Sequence, residues 1–317
     1  MPTPDLTLQQ PLKPLSHVLV AVSLEPRDEW ALRRALALPL APGGRITALH
    51  VVEPPQVRSL AALAQDDTDE AARLRDAKTK LAAAIKAAKP SWIKTPSIVE
   101  AEVVLGEPAS EIMALARARN VDLVVLGRQA RRRTLRGAVM GSTAERVTRQ
   151  GKRPLIVVAR NPTGSYAHAL VTVDLDKHFK SRVEAAGEAS CALAKRILGA
   201  GAKVTLFHAY NVPFEGFITP AYASGNRGEF GQAIRDEAQT VLNALRAHAR
   251  TLSLDADLLL EEGDARARII EAAQTLDADL IVVRTHGRSA LTRLLIGSVA
   301  AWVVAAAGCD VLIDRAP

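Results

Sequence analysis

The amino-acid sequence repeats itself once, at about half its length, and this duplication limits the folds available to it. The string HVLVAVS at 17–23 matches HALVTVD at 168–174, an offset of 151 residues. Four further pairs follow in the same order at offsets of 156 to 158 residues: 47–50 with 205–208, 122–126 with 279–283, 141–142 with 297–298, and 155–157 with 311–313. Because this period is too long for a solenoid, each copy is a whole domain. We predict a first domain over residues 1–160 and a second over 161–317.

Each copy alternates short apolar runs with longer helical patterns. Unbroken runs of Val, Leu and Ile are typical of strands covered on both faces, and strands that alternate with helices form an open parallel sheet. The sequence therefore predicts two tandem α/β domains, each a doubly wound sheet of five parallel strands. We expect strands near 17–22, 46–52, 98–105, 121–126, 155–159, 168–173, 203–209, 257–260, 279–283 and 310–313, and helices near 28–38, 60–88, 108–119, 142–149, 181–198, 229–251, 264–277 and 298–306.

Composition excludes several classes of protein. Aromatic residues make up only 3% of the chain, which leaves few ring platforms for stacking the bases of nucleic acid. Cys191 and Cys309 fit no metal-binding or disulfide spacing. Residues 1–14 lack the apolar core of a signal peptide, and no run of 18 apolar residues occurs. We expect a cytoplasmic protein with no nucleic-acid partner and no membrane partner.

The loop after the fourth strand of the second copy is the first candidate for a binding site. Ligands of doubly wound sheets lie beyond the carboxyl ends of the strands, where the strand order reverses. There the chain reads Arg284-Thr285-His286-Gly287-Arg288, and a helix begins further on at Gly297-Ser298-Val299. The free N–H groups and the dipole of a helix start favour phosphate oxygens, and glycine lets the backbone approach them. A serine at this place either caps the helix or donates to a phosphate.

Gly287, nine further residues and then Gly297-Ser298 resemble the signature of the universal stress protein family. That signature runs Gly, two residues, Gly, nine residues, Gly, and Ser or Thr. The order of strands and helices and the repeated domains also fit, so the resemblance covers nearly the whole chain. It implies a stress-response protein that is not an enzyme. Many members of the family bind ATP or AMP through this loop, with Mg²⁺ as the implied metal, whereas others bind no nucleotide.

Carried over position by position, the resemblance implies a nucleotide site in the second copy. Asp174 ends the first strand, where ATP-binding members carry an acid that holds ribose, phosphate or, through the nucleotide, the metal. Arg284 replaces the first glycine of the signature and either blocks the phosphate pocket by its bulk or pairs with a phosphate. The complete set is Asp174, His208, Ala209, Arg284, His286, Gly287, Arg288, Gly297, Ser298 and Val299.

The first copy departs further from the signature. Ser23 replaces the acid, Ala130 replaces the second glycine, and the loop between Gly127 and Gly141 is one residue too long. We expect this copy to be degenerate. Its weaker candidates are Ser23, Val51, Gly127, Gly141 and Ser142. His50 and His208 end apolar strands in the two copies, and such histidines are most often satisfied residues of the core or its rim.

Two segments have alternative interpretations. The segment 128–136 holds five arginines within nine residues, in a half whose net charge is +9 against −2 for the other half. It either grips a polyanion or is a loop that is solvated or paired with acidic residues of the second domain. Phe214–Ile218 either covers a ligand cleft, enters a subunit contact or packs on its own helix.

The last strand of each copy, Leu155–Ala159 and Asp310–Ile313, is a short apolar edge. Such edges pair between domains in the family that the chain resembles, and an open edge offers unpaired backbone groups for this. We expect the two domains to pair with each other in a pseudo-symmetric arrangement, with a homodimer as a further assembly. The alternative function is a protein-interaction module that is independent of nucleotide and whose two nucleotide sites are vestigial.

Overall fold

The fold is built on one sheet of ten strands with helices packed on both faces. The computed structural model describes residues 12–24, 29–54, 66–89, 98–128, 131–134, 137–139, 141–175, 180–211, 227–285 and 297–315. Within these ranges, five strands of the sheet come from each half of the chain. None of the helices in the described ranges is both long enough and apolar enough to cross a membrane.

The first half alternates strands and helices, as the apolar runs predict. Its elements are β1 (Leu15–Ala21), α1 (Glu29–Ala37), β2 (Leu40–Val52), α2 (Asp66–Ala88), β3 (Ile98–Leu105), α3 (Pro108–Ala118), β4 (Leu123–Gly127), β5 (Arg131–Thr134), β6 (Gly137–Val139), α4 (Ser142–Gln150) and β7 (Leu155–Val158). The strands β5 and β6 form a small antiparallel pair within the segment that the sequence predicts as a loop. The loop prediction is wrong there because a run of arginines has no apolar alternation to mark a strand.

The second half repeats this alternation of strands and helices. Its described residues include no equivalent of the antiparallel pair β5–β6. Its elements are β8 (His168–Thr172), α5 (Lys180–Ile197), β9 (Lys203–Tyr210), α6 (Arg227–Thr251), β10 (Ala256–Glu262), α7 (Ala265–Thr275), β11 (Leu280–Thr285), α8 (Ser298–Ala306) and β12 (Asp310–Arg315). Every strand and helix predicted for this half is present, with ends that differ by no more than two residues.

The strand order confirms the doubly wound architecture. The first half has the order β3-β2-β1-β4-β7, the second half has the order β10-β9-β8-β11-β12, and all neighbours within a half are parallel. In each half the order reverses at the first strand, between β1 and β4 and between β8 and β11. A crevice therefore opens beyond the carboxyl ends of these strands.

The two halves join through their last strands, and this confirms the predicted pairing of the domains. The strands β7 and β12 are antiparallel, with Leu155 opposite Ile313 and Val157 opposite Val311. The carboxyl edges of the two halves consequently point in opposite directions. The two crevices are therefore well separated from each other.

A buried ion pair lies at this seam. Asp310, the first residue of β12, is fully buried, and its carboxylate accepts a hydrogen bond from Arg34 Nε of α1 at 2.8 Å. The hydroxyl of Tyr166 and the N–H of Ala159 also donate to it, each at 2.9 Å. The Arg34 guanidinium lies over the Tyr166 ring, 3.7 Å from its centroid, and donates to the carbonyl of Gly164. Burial and the nearby Asp310 charge raise the pKa of Tyr166 well above its ordinary value, so the phenol stays a donor.

Arginines also cross the seam to the ends of helices. Arg128 donates through Nη1 to the carbonyls of Val304 at 3.1 Å and Ala307 at 2.7 Å, at the carboxyl end of α8. Arg315 donates in return to the carbonyl of Val147 at 3.2 Å, near the end of α4. A cation at this end of a helix satisfies unpaired carbonyls and complements the helix dipole. The first arginine of the 128–136 segment thus binds backbone carbonyls of the other half rather than acidic side chains.

Substitution of Asp310 tests the importance of the buried pair. In Asp310→Ala the buried Arg34 guanidinium loses its counter-charge, and we expect the free energy of unfolding to fall by about 3–5 kcal/mol. The measurement is urea unfolding followed by circular dichroism. Glu29→Ala is the matched control because it breaks the partly exposed pair with Arg33 on the same helix, and it should cost less than about 1 kcal/mol. Equal losses in the two variants would contradict this assignment.

Candidate functional site

Two cavities open at equivalent places, one at the carboxyl edge of each half of the sheet. The first, of about 490 Å³, lies among the ends of β1, β2 and β4 and the starts of α3 and α4. The second, of about 130 Å³, lies among the ends of β8, β9 and β11 and the starts of α7 and α8. Both lie at the point where the strand order reverses, which is the usual ligand position of such sheets. The duplication has therefore kept the position of the site.

In the second half, the structure brings five of the predicted residues together around the cavity. These five are Asp174, His208, Ala209, Arg284 and Val299. Gly297 and Ser298 come directly before Val299 at the start of α8. His286, Gly287 and Arg288 lie outside the described residues, as do Phe214–Ile218.

In the first half, all the weaker candidates lie around one cavity. Ser23 follows β1, Val51 is near the end of β2, Gly127 ends β4, and Gly141-Ser142 begin α4. Ala130 and Arg136 lie outside the described residues. Ser23, Val51 and Gly127 are equivalent to Asp174, Ala209 and Arg284 at the second cavity, although Ser23 carries a hydroxyl where Asp174 carries a carboxylate.

The helix starts at the two cavities have glycine at the N-cap position, which is Gly141 for α4 and Gly297 for α8. These N-caps have no side chain that accepts from the first N–H groups of the helix. The other helices at the cavities differ in this respect. Glu107 accepts from the N–H of Ser110 at the start of α3, and Asp264 accepts from the N–H of Arg266 at the start of α7. The starts of α4 and α8 thus keep the N–H groups and the positive dipole end that bind anions.

Two equivalent histidines tie the strand ends together. The Nδ1 atom of His50 is 2.7 Å from the carbonyl oxygen of Val22, and that of His208 is 2.9 Å from the carbonyl oxygen of Val173. A carbonyl only accepts, so Nδ1 carries the proton and Nε2 remains an acceptor in the neutral ring. The expectation that these histidines are satisfied at the rim of the core is confirmed. Burial lowers the pKa of His208 despite the opposing hydrogen bond to Val173 and charge of Asp174, so the ring is neutral at pH 7.

Arg284 has a partner that the sequence did not indicate. Its Nη1 donates to Asp314 Oδ2 at 2.6 Å and to the carbonyl of Ala186 in α5 at 3.1 Å. Asp314 is buried and also accepts from the Ser190 hydroxyl at 2.7 Å. Arg284 lines the cavity, but its guanidinium is engaged in neutralising a buried carboxylate.

The same two strand positions differ between the halves as a pair. Gly127 is opposite Val158 in the first half, and Arg284 is opposite Asp314 in the second. The loss of the signature glycine therefore coincides with the gain of a carboxylate on the neighbouring strand. An alignment of the two copies would have shown that both positions change together, and this could have identified the pair of Arg284 and Asp314.

Two of the positions around the cavities carry larger side chains in the second half. Phe207 occupies the place of Leu49. The carbonyl of Leu49 accepts a hydrogen bond from the N–H of Val22, and the carbonyl of Phe207 accepts the equivalent bond from the N–H of Val173. Thr172 occupies the place of Ala21 in the same comparison. These exchanges add volume to the cavity wall.

Each half of the chain matches the same family of known proteins. A family model described as the universal stress protein family matches twice, over residues 14–159 and 165–315. A universal stress protein of Methanocaldococcus jannaschii is 33% identical over 95 residues, which span 30% of this chain and only 56% of that relative. A universal stress protein of Thermus aquaticus is 33% identical over 118 residues, or 36% of this chain and 79% of the relative.

Solved structures are similar over nearly the whole chain. A functionally unknown protein of Pseudomonas aeruginosa PAO1 has a TM-score of 0.62 at 20% identity, over 96% of this chain and 94% of that one. A universal stress protein of Archaeoglobus fulgidus has a TM-score of 0.60 at 16% identity, over 95% of this chain and 98% of that one. At identities this low, the similarity shows that the proteins share a fold.

Restoring the missing glycine tests the role of Arg284. Arg284→Gly leaves the Asp314 carboxylate buried without its counter-charge, so we expect the free energy of unfolding to fall by about 3–5 kcal/mol. The double variant Arg284→Gly/Asp314→Val reproduces the first-half pair Gly127 and Val158, and it should recover most of that loss in denaturant unfolding. If the single variant is as stable as the wild type, the ion pair has no such role.

Proposed function

This chain belongs to the universal stress protein family, and we propose that it is a stress-response protein that binds an adenine nucleotide without turning over a substrate. The observation that carries the proposal is the pair of glycine-capped helix starts that open into cavities at the carboxyl edge of the sheet. Such a helix start offers N–H donors and positive potential to a phosphate.

In the second half, the phosphates lie against the start of α8. A Cβ atom placed on Gly297 would meet no heavy atom within 4 Å, so the backbone of this residue can be approached closely from that side. The exposed hydroxyl of Ser298 is available to donate to a phosphate oxygen. The guanidinium of Arg284 does not obstruct this approach, because Asp314 and the carbonyl of Ala186 hold it.

The nucleoside lies toward the ends of β8 and β9. Asp174 accepts hydrogen bonds from ribose hydroxyls or attracts the Mg²⁺ that accompanies ATP. Neutral His208 has Nε2 as an acceptor for an amino group, and Ala209 offers its backbone beside it. These residues supply donors and acceptors of the kinds that a nucleotide requires.

The first half is the second candidate, and the size of its cavity favours it. Small-molecule sites usually measure about 300–1,000 Å³, and the 490 Å³ cavity falls in that range whereas the 130 Å³ cavity does not. The start of α4 adds the hydroxyls of Ser142 and Thr143. Ser23, however, has no charge with which to hold a metal. The acid and the larger volume therefore belong to different halves.

A matched pair of variants decides between the two sites. Ser298→Glu and Ser142→Glu each place a carboxylate in the first turn of a helix, where the dipole tolerates it but a phosphate is repelled. We expect calorimetric titration with ATP and Mg²⁺ to show about one site per chain, with binding abolished in Ser298→Glu and kept in Ser142→Glu. Asp174→Asn should weaken binding of ATP with Mg²⁺ more than binding of AMP without metal, because it removes a charge.

The other outcomes are equally specific. Loss of binding in Ser142→Glu alone would move the nucleotide to the first half. No saturable heat up to millimolar ATP, from protein that is folded by circular dichroism, would reject the nucleotide site in favour of a nucleotide-independent interaction module. Multiple-turnover release of phosphate would contradict the proposed lack of catalysis.

A further inference from the structure

The acidic residue at the rim of the cavity comes from different strands in the two halves. In the second half it is Asp174, which comes shortly after β8 and lines the 130 Å³ cavity. In the first half Ser23 holds that place, but Glu53, which follows β2, lines the 490 Å³ cavity. Among the described residues that line this larger cavity, Glu53 is the acidic one. The first half therefore offers a carboxylate from its second strand instead of its first.

The place of Glu53 is not acidic in the second half. Val52 ends β2 and Tyr210 ends β9. The carbonyl of each accepts a hydrogen bond from the N–H of the glycine that follows the third strand of its half, at 3.0 and 2.9 Å. The residues that come next, Glu53 and Asn211, are therefore equivalent. Each half thus has a neutral residue at the rim position where the other half has its acid.

The two rim positions face different parts of a ligand that spans the cavity. In the sheet, β1 lies between β2 and β4. The helix α8 packs on β11 and β12, so the equivalent start of α4 lies on the β4 side of β1. Because neighbouring strands are about 4.8 Å apart, the end of β2 is one strand further from this helix start than the end of β1. An acid at the end of the first strand is thus close to the phosphates and suits a metal ion bound to them, whereas an acid at the end of β2 lies toward the sugar and the base.

The backbone that carries Glu53 is held in place, whereas its carboxylate is exposed. Arg73 of α2 donates through Nη2 to the carbonyl oxygen of Glu53 at 2.5 Å. Within the described part of the chain, the carboxylate takes part in no ion pair. An ionised carboxylate only accepts hydrogen bonds, so Glu53 requires donors on the ligand. The two adjacent hydroxyls of a ribose are donors of this kind.

We propose that the first cavity binds an adenine ribonucleotide without a metal ion, and that Glu53 accepts hydrogen bonds from its ribose hydroxyls. The inference rests on the proposed function, because it specifies the ligand of the second candidate site. The phosphate lies against Ser142 and Thr143 at the start of α4, where the second half has Ser298 and Val299. The additional hydroxyl of Thr143 is a donor to the phosphate where no acid is placed to hold a metal ion. The two halves thus differ in their requirement for Mg²⁺.

Calorimetric titration in the presence of EDTA tests the role of Glu53. The Ser298→Glu variant removes the second-half site, and AMP is compared with 2′,3′-dideoxy-AMP, which lacks both ribose hydroxyls. We expect AMP to bind about tenfold more tightly, because hydrogen bonds to a charged group are among the stronger ones. Adding Glu53→Ala should abolish this preference, mainly by weakening the binding of AMP. Asn211→Ala is the matched control at the equivalent place of the second half, and it should keep the preference.

The outcomes distinguish this inference from the proposed function. If the preference for AMP survives Glu53→Ala, or is absent before that substitution, Glu53 does not bind the ribose, while nucleotide binding still stands. If AMP binds the wild type but not Ser298→Glu, the first cavity holds no nucleotide. A requirement for Mg²⁺ at the first cavity would contradict the metal-free site. Wild-type protein that is folded by circular dichroism but gives no heat with any nucleotide would overturn the proposed function, and this inference with it.

Discussion

The buried charge of Asp310 is the constraint on which the arrangement of the two halves depends. A carboxylate without exposure is costly unless it is paired and hydrogen-bonded. Here Arg34, Tyr166 and the N–H of Ala159 satisfy it from the first half and the connecting segment. These contacts hold α1 and the segment between β7 and β8, which contains Ala159 and Tyr166, against the start of β12. Asp310 directly precedes the paired residues of β12, which run antiparallel to β7 and give the two carboxyl edges opposite directions.

Some interior contacts are the same in the two copies of the domain. His17 lies 2.9 Å from the Thr47 hydroxyl, and His168 lies 2.9 Å from that of Thr205. In the same way, Asp122 and Asp279 each accept from the backbone at the start of the first strand of their half. The residues that differ most surround the cavities, as in the exchange of Gly127 for Arg284.

The separation of the two cavities makes such divergence compatible with one sheet. Each cavity is built from the strand ends and helix starts of its own half. The seam between the halves relies on other groups, chiefly the β7–β12 ladder, Asp310 with its partners, and the arginines that cap α4 and α8. A change at one rim therefore leaves the seam and the other rim in place. The two rims can therefore diverge independently of each other.

The sequence by itself determined the duplication, the order of the strands and helices of the main sheet, and the edge of that sheet at which the two cavities open. These follow from local periodicity and from the rule that parallel strands end at one edge. The tertiary structure alone decided the partners of charged residues. Arg284 meets Asp314, thirty residues away, only because β11 and β12 are neighbours in register. It also decided the cavity volumes, because the side chains of Phe207 and Thr172 occupy space between neighbouring strands and helices. Long-range pairing and shape depend on how the elements pack, and local sequence patterns do not record that.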